Sequence, residues 1–166
     1  MDCCALCKEY RLKENVIADY DHCFLMFNRF PYLPGHVMLV PKRTVKTLFD
    51  MTALERMEIM ETLSSVQKKV LRSLKDLGVT STNIGINTGE NSGASIPQHL
   101  HIHVVPRRSN DMNFMHTTTA QPFQHRETYT IYREKIEEEF KQETFIYPKR
   151  LSMKSSSSSP MNLHCI

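Results

Sequence analysis

The chain has no apolar run near the roughly 18 residues that a membrane-spanning helix needs, so it is read as a soluble protein without a membrane partner. It also lacks a marked excess of either charge, since 21 Lys and Arg stand against 18 Asp and Glu, a net +3. A surplus this small does not argue for a nucleic-acid surface, which needs basic residues concentrated on one face. A disulfide framework is absent as well: the five cysteines, at positions 3, 4, 7, 23 and 165, are an odd number. The opening Met1-Asp2-Cys3-Cys4 lacks the charged then apolar layout of a secretory signal. Free thiols in a reducing cytoplasm are the expectation. Residue 2 is Asp where myristoylation requires Gly, and Cys165 is next to last rather than fourth from the end, so no lipid anchor is expected.

What is present is ordinary for a globular domain. Hydrophobic residues make up 40% and charged residues 23%, which excludes a coiled-coil rod, collagen or a wholly disordered chain. The 166 residues suit one domain with a real core. Short extended segments are expected at 15–18, 24–28 and 36–41, with Pro31 and Pro34 breaking regular structure between the last two. From Met51 the period changes. Leu54, Met57, Met60, Leu63, Val66, Val70, Leu74 and Leu77 recur at three- and four-residue steps and predict one buried helical stripe, with Glu55, Glu58, Glu61, Lys68 and Lys75 on the wet faces. Thr52 and Glu55 read as a capping box and Gly78 as a left-handed stop. Strands follow at 82–87 and 99–106, and a second helix at about 127–142. Five strands interrupted by one long helix predict an α+β fold, an antiparallel sheet backed by helix. Residues 1–148 are read as the domain, and 149–166, with the serine run 155–159, as a flexible tail.

One segment carries chemistry: Gln98-His99-Leu100-His101-Ile102-His103-Val104-Val105-Pro106-Arg107. Side chains of a strand alternate, so His99, His101 and His103 are expected on one face and Leu100, Ile102 and Val104 in the core. A core would prefer aliphatic residues there, because each buried imidazole nitrogen needs its own partner. Glycine is scarce, yet three of the five, Gly85, Gly89 and Gly93, stand just before this row. Such clustering predicts a loop that takes positive φ or approaches a ligand closely, with backbone N–H groups free to hold phosphate oxygens. An anion-binding loop beside an imidazole row is a plausible phosphoryl-transfer site, with one imidazole attacking phosphorus. Two other readings stay open. A metal site built on His-x-His normally adds a carboxylate and a distant histidine, and only Glu90 is near in sequence. Three satisfied surface histidines would have no chemistry at all.

The run His99 to Val105 resembles the signature of the histidine triad family, and the resemblance extends from about Cys4 to Met115. Asn28-Arg29-Phe30-Pro31-Tyr32-Leu33-Pro34-Gly35-His36-Val37 is similar to the fragile-histidine-triad branch and to the bacterial diadenosine tetraphosphate phosphorylase-like group. Gly85 to Gly89, Gly93 to Pro97 and Asp111 to Met115 are most similar to that bacterial group. The resemblance implies a five-stranded antiparallel sheet with one long and one or two shorter helices, paired into a homodimer. It implies a nucleotidyl hydrolase or transferase that cleaves dinucleoside polyphosphates such as diadenosine tetraphosphate. His101 would attack the α-phosphorus and carry the nucleotide, while His99 and His103 orient it and contact phosphate and His36 backs the row. Asn28, Asn87, Gly93, Ala94, Ser95 and Ile96 would contact the nucleotide. The implied alternatives are a nucleoside phosphoramidate hydrolase and a non-catalytic nucleotide-binding signalling module. No metal is implied for the covalent step, and a divalent cation carried by the substrate stays open. Some relatives hold a structural zinc on Cys-x-x-Cys, a histidine after Pro-Lys-x and the first triad histidine. Cys4 and Cys7 are here, but Thr44 stands where that histidine is expected, which leaves zinc one ligand short. Arg108 likewise takes the place of a Trp common in relatives, so base preference is not implied.

Overall fold

The computed structural model describes residues 4–111 and 126–142. The proposed tail, the region of Met112 to Met115 and the outer cysteines Cys3 and Cys165 lie outside them. Five strands, β1 (Val16–Asp19), β2 (Cys23–Phe27), β3 (Val37–Pro41), β4 (Val79–Ile86) and β5 (Ile102–Arg108), form one antiparallel sheet in the order β1-β2-β3-β5-β4. Three helices accompany it: α1 (Ala5–Leu12), α2 (Ala53–Ser73) and α3 (Arg126–Gln142).

Every residue of β2 and β3 is buried, because both faces of the sheet are covered there. Cys23, Leu25, Phe27, Val37 and Leu39 meet Ile59, Leu63, Val66 and Val70 of α2 and Ile136 of α3 in the main core, joined by Ile102 and Val104 of β5. The alternate residues Phe24, Met26, Met38 and Val40 point the other way, under Cys4, Leu6 and Cys7 of the α1 segment. Strand alternation thus divides the same two strands between a large core and a small one. Helix α1 is an element the sequence reading passed over. Cys4 caps it, its sulfur accepting the Cys7 N–H at 3.4 Å, and Lys13 ends it at φ +55°.

The stripe expected on α2 is only half right. Thr52 and Glu55 do form the capping box, and Leu63, Val66, Val70 and Leu74 are buried. Leu54, Met57 and Met60, however, are exposed at 63%, 51% and 63%, while Glu55 and Glu58 point inward. Each inward carboxylate has its donors. Arg43 clasps Glu55 at 2.9 and 2.8 Å, and the His22 N–H reaches Glu58 at 2.8 Å. The helix ends at Ser73 and continues as one 3₁₀ turn over Lys75–Leu77 to Gly78, at φ +78°.

Gly35 sets the entry into β3. It sits at φ +80°, and a Cβ there would lie 2.9 Å from Leu74 and 3.2 Å from Ile136, so only glycine lets this turn close onto both helices. The next residue, His36, is thereby delivered to the opposite side of the sheet, facing β5.

Candidate active site

On the α1 side of the sheet lies a cavity of about 390 Å³. Polar residues of its lining are Asn28, Asn87, Ser95, His101, His103 and Glu9, and apolar ones include Ala5, Leu6, Phe30, Met38 and Ile96, with Arg29, Tyr32 and Gly93 completing it. Of the residues expected at a site, His101, His103, Asn28, Asn87, Gly93, Ser95 and Ile96 are brought together here. His36, His99 and Ala94 are not on this wall.

The hydrogen bonds decide which nitrogen of each ring is free. His101 Nδ1 lies 2.9 Å from the carbonyl of His99, an acceptor only, so Nδ1 carries the proton and Nε2 keeps its lone pair. His36 Nδ1 accepts the Tyr32 backbone N–H at 3.2 Å, so its Nε2–H donates to His103 Nδ1 at 2.9 Å. That leaves His103 with a proton on Nε2. The result is a directional chain, Tyr32 N–H to His36 to His103, ending on a donor beside a ring that ends on an acceptor. The His101 and His103 rings stand edge to face, 4.8 Å between centroids. Tyr32 stacks on the far side of His36 at 5.6 Å, and Asn28 Nδ2 faces both its nitrogens at 3.4 Å.

Burial keeps this chain neutral. His103 is pushed down to about 4 by desolvation first and by the neighbouring His101 ring second. His36 lies well below its ordinary 6.5 for the same reason, with His103 and His101 adding to it. Two strand contacts shape the space at His103: Met38 of β3 is its partner on one side and Gly85 of β4 on the other. Gly85 is therefore part of strand β4, opposite His103, rather than of the glycine loop. Gly89 and Gly93 do take positive φ, at +90° and +79°, flanking a 3₁₀ turn over Glu90–Ser92.

His99 has a different environment from the other two triad residues. The strand begins only at Ile102, and His99 turns under α1. Its Nε2–H donates to the Pro41 carbonyl at 2.8 Å, which leaves Nδ1 with a lone pair 3.1 Å from Cys4 Sγ and 3.5 Å from Cys7 Sγ. The two sulfurs are 3.3 Å apart, and the Thr44 hydroxyl is 3.6 Å from Cys7 Sγ. Two thiols and one imidazole lone pair within this compass, all buried, fit a metal ion. The Thr44 hydroxyl, next to Cys7 Sγ, is a poor zinc ligand.

Glu9, Ala5 and Leu6 were missed from sequence because α1 itself was. The available signal was Leu6, Glu9 and Tyr10 at helical spacing behind a cysteine able to cap.

A family model described as HIT domain matches residues 9–110. AP-4-A phosphorylase of Mycobacterium tuberculosis is 40% identical over 101 residues, 60% of this chain and 50% of that protein. Bis(5'-nucleosyl)-tetraphosphatase (asymmetrical) of Schizosaccharomyces pombe is 35% identical over 86 residues, 52% of this chain and 45% of its own length. The chain thus spans about half the length of these relatives. Among solved structures, a zinc-bound histidine triad family protein from Mycobacterium smegmatis superimposes with a TM-score of 0.60 at 21% identity, over 84% of this chain and 97% of that one.

Proposed function

Because the chain belongs to the HIT domain family, we propose that it cleaves dinucleoside polyphosphates through a nucleotide carried on His101. The observation that carries this reading is the His101 Nδ1–H bond to the His99 carbonyl at 2.9 Å, which frees Nε2 in the cavity. Relatives bearing the names phosphorylase and tetraphosphatase support the substrate class.

In the first step His101 Nε2 forms a bond to the α-phosphorus as the bond from phosphorus to the bridging oxygen breaks, and the remaining nucleoside polyphosphate departs with that oxygen. The His103 Nε2–H donates to the phosphate that gathers charge, and the neutral His36 holds it in that tautomer. Ser95, Asn87 and the backbone at Gly93 hold the other oxygens. In the second step water or inorganic phosphate attacks the phosphorus and His101 leaves. An imidazole suits both roles, since its unprotonated nitrogen attacks and the ring departs readily once it carries the phosphoryl group. Products separate the acceptors: with diadenosine tetraphosphate, AMP and ATP indicate water, while ADP and ATP indicate phosphate. His101→Ala should end both, and retained turnover would refute the assignment.

Cys4, Cys7 and His99 would hold a structural zinc. The ion would tie α1, which walls the cavity, to the residue whose carbonyl fixes His101, and no catalytic step passes through it. Two copies pair through the outer edge of β4, which has no strand neighbour among the described residues, together with the exposed apolar residues Ile84, Leu54, Met57 and Met60. Sedimentation of the chain tests this, a monomer at micromolar concentration being the contrary result. The chain acts in the cytoplasm in this reading, in keeping with its reduced thiols.

A further inference from the structure

One buried charged group in the cavity has no part in the phosphate chemistry. Glu9 is only 7% exposed, yet it lines the cavity with Ala5 and Leu6 of the same helix. Its Oε2 accepts the Asn15 amide at 3.1 Å, and among the described residues no other hydrogen bond reaches this carboxylate. The support is itself built. Asn15 sits at φ +58°, a conformation asparagine tolerates, and its Oδ1 accepts Arg133 Nη1 at 2.9 Å. Arg133 in turn lies over the Phe27 ring at 4.5 Å and donates to Glu137 at 3.0 Å. The carboxylate is thus aimed from behind by a cation acting through an amide.

A carboxylate has about four acceptor directions and no donor. One is used here, and Oε1 is not among the fully buried atoms left without a partner, so it is open to N–H or O–H groups of whatever fills the cavity that Glu9 lines. The apolar lining residues Ala5, Leu6 and Ile96 suit the faces of a nucleobase, while His101, His103, Ser95 and Asn87, assigned above to phosphate, lie on other elements than α1. Of the two purines, guanine presents N1–H and an N2 amine side by side, both donors. Adenine presents its amine beside the N1 lone pair, which a carboxylate repels. We propose that Glu9 reads the base of the bound nucleotide, accepting the N1–H and N2–H of guanine, so that guanosine-ended substrates are preferred to adenosine-ended ones. This rests on the nucleotide-cleaving reading of the same cavity.

The test is calorimetric binding of GMP and AMP to the full chain and to two variants. In Glu9→Gln the amide oxygen keeps Asn15, and the amide NH₂ meets guanine's donors with a donor. Asn15→Gly keeps the left-handed backbone and removes the amide that joins Arg133 to Glu9. The chain should bind GMP at least about tenfold tighter than AMP, the scale of one charge-assisted hydrogen bond gained against one lone pair opposed. Glu9→Gln should bring that ratio to one or below, and Asn15→Gly should reduce it several-fold. A preference for AMP in the unmodified chain, or a ratio unmoved by both variants, overturns the base assignment and leaves nucleotide cleavage standing. An equal loss for both nucleotides that vanishes with their 2′-deoxy forms gives Glu9 to the ribose and also overturns it. Binding of neither nucleotide overturns both readings together.

Discussion

The two faces of the sheet share the same strands and are built on opposite rules. Toward α2, β2, β3 and β5 present Leu25, Phe27, Leu39, Ile102 and Val104 to aliphatic partners, and the polar groups at the helix edge are matched inside the fold. Toward α1, the neighbouring residues of those strands include Met38 and His103, joined by His36, His99, His101, two thiols and a carboxylate. Several groups on this second face have hydrogen-bonding capacity that no described residue uses: His101 Nε2, His103 Nε2–H and the remaining acceptors of Glu9, while His99 Nδ1 meets only the two thiols. One face holds the fold together by aliphatic packing, with the buried Thr62 and Tyr132 hydroxyls there left without a hydrogen-bond partner among the described residues. The other stays reactive by leaving contacts unmade, and the first must supply the rigidity that the second does not.

The largest effect that would expose this division is chemical. His101→Ala should lower kcat by about 10⁴-fold or more, as loss of a covalent nucleophile does, while shifting stability by less than about 1 kcal/mol. Steady-state turnover with a denaturant titration checks both parts. The converse is Leu39→Ala, next in sequence to a cavity residue but facing α2. It should cost about 2–5 kcal/mol of stability and leave kcat near its starting value in the protein that stays folded. Similar stability losses for Leu39→Ala and Met38→Ala, with similar effects on KM, would erase the distinction between faces.

Acid should act on the reactive face. His103 is at about 4 when folded against an ordinary 6.5, so the unfolded chain binds more protons between those values. The stabilisation from keeping this ring neutral is therefore complete above about pH 6.5 and is lost as pH falls toward 4, amounting to about 3 kcal/mol at most. His36 acts in the same direction. Thermal melts from pH 7 to pH 4 should fall, and His103→Asn should flatten the slope. The smallest effect concerns the thiols. Zinc bound by Cys4, Cys7 and His99 should be present at one per chain by elemental analysis, and its removal by a chelator should lower Tm by roughly 5 °C. Thr44→His should tighten zinc binding, because it supplies a nitrogen in place of a hydroxyl.

Much of this was legible in the residues. β2, β3 and β5 stand out because proline, glycine and histidine punctuate them, and the Thr52 to Gly78 helix carries its own start and stop signals. The triad and the glycine loop were visible as residue types that packing does not ask for, while Asn28 and Asn87 followed only from the family resemblance. What could not be read is which charges have partners. Glu55 and Glu58 look like a wet face until Arg43 and the His22 N–H are placed beside them, and Leu54, Met57 and Met60 then lose their inward place. Alternation put His99 in one row with His101 and His103, but the strand begins after it, so His99 turns to the thiols instead. Gly85 shares its residue type with the loop glycines and its position with β4. Helix α1 is eight residues with few apolar positions, held in place by contacts to strands far along the chain, and short helices owe their stability to such contacts rather than to local signal.

The most direct test of the account is to mix the protein with a dinucleoside polyphosphate, quench within the first turnovers and map the peptide containing residues 98–107 by mass spectrometry under alkaline conditions. A nucleotidyl group on His101, lost on brief acid treatment and absent from His101→Ala, is the predicted result. Rapid turnover by a preparation in which that ring is never modified would contradict it.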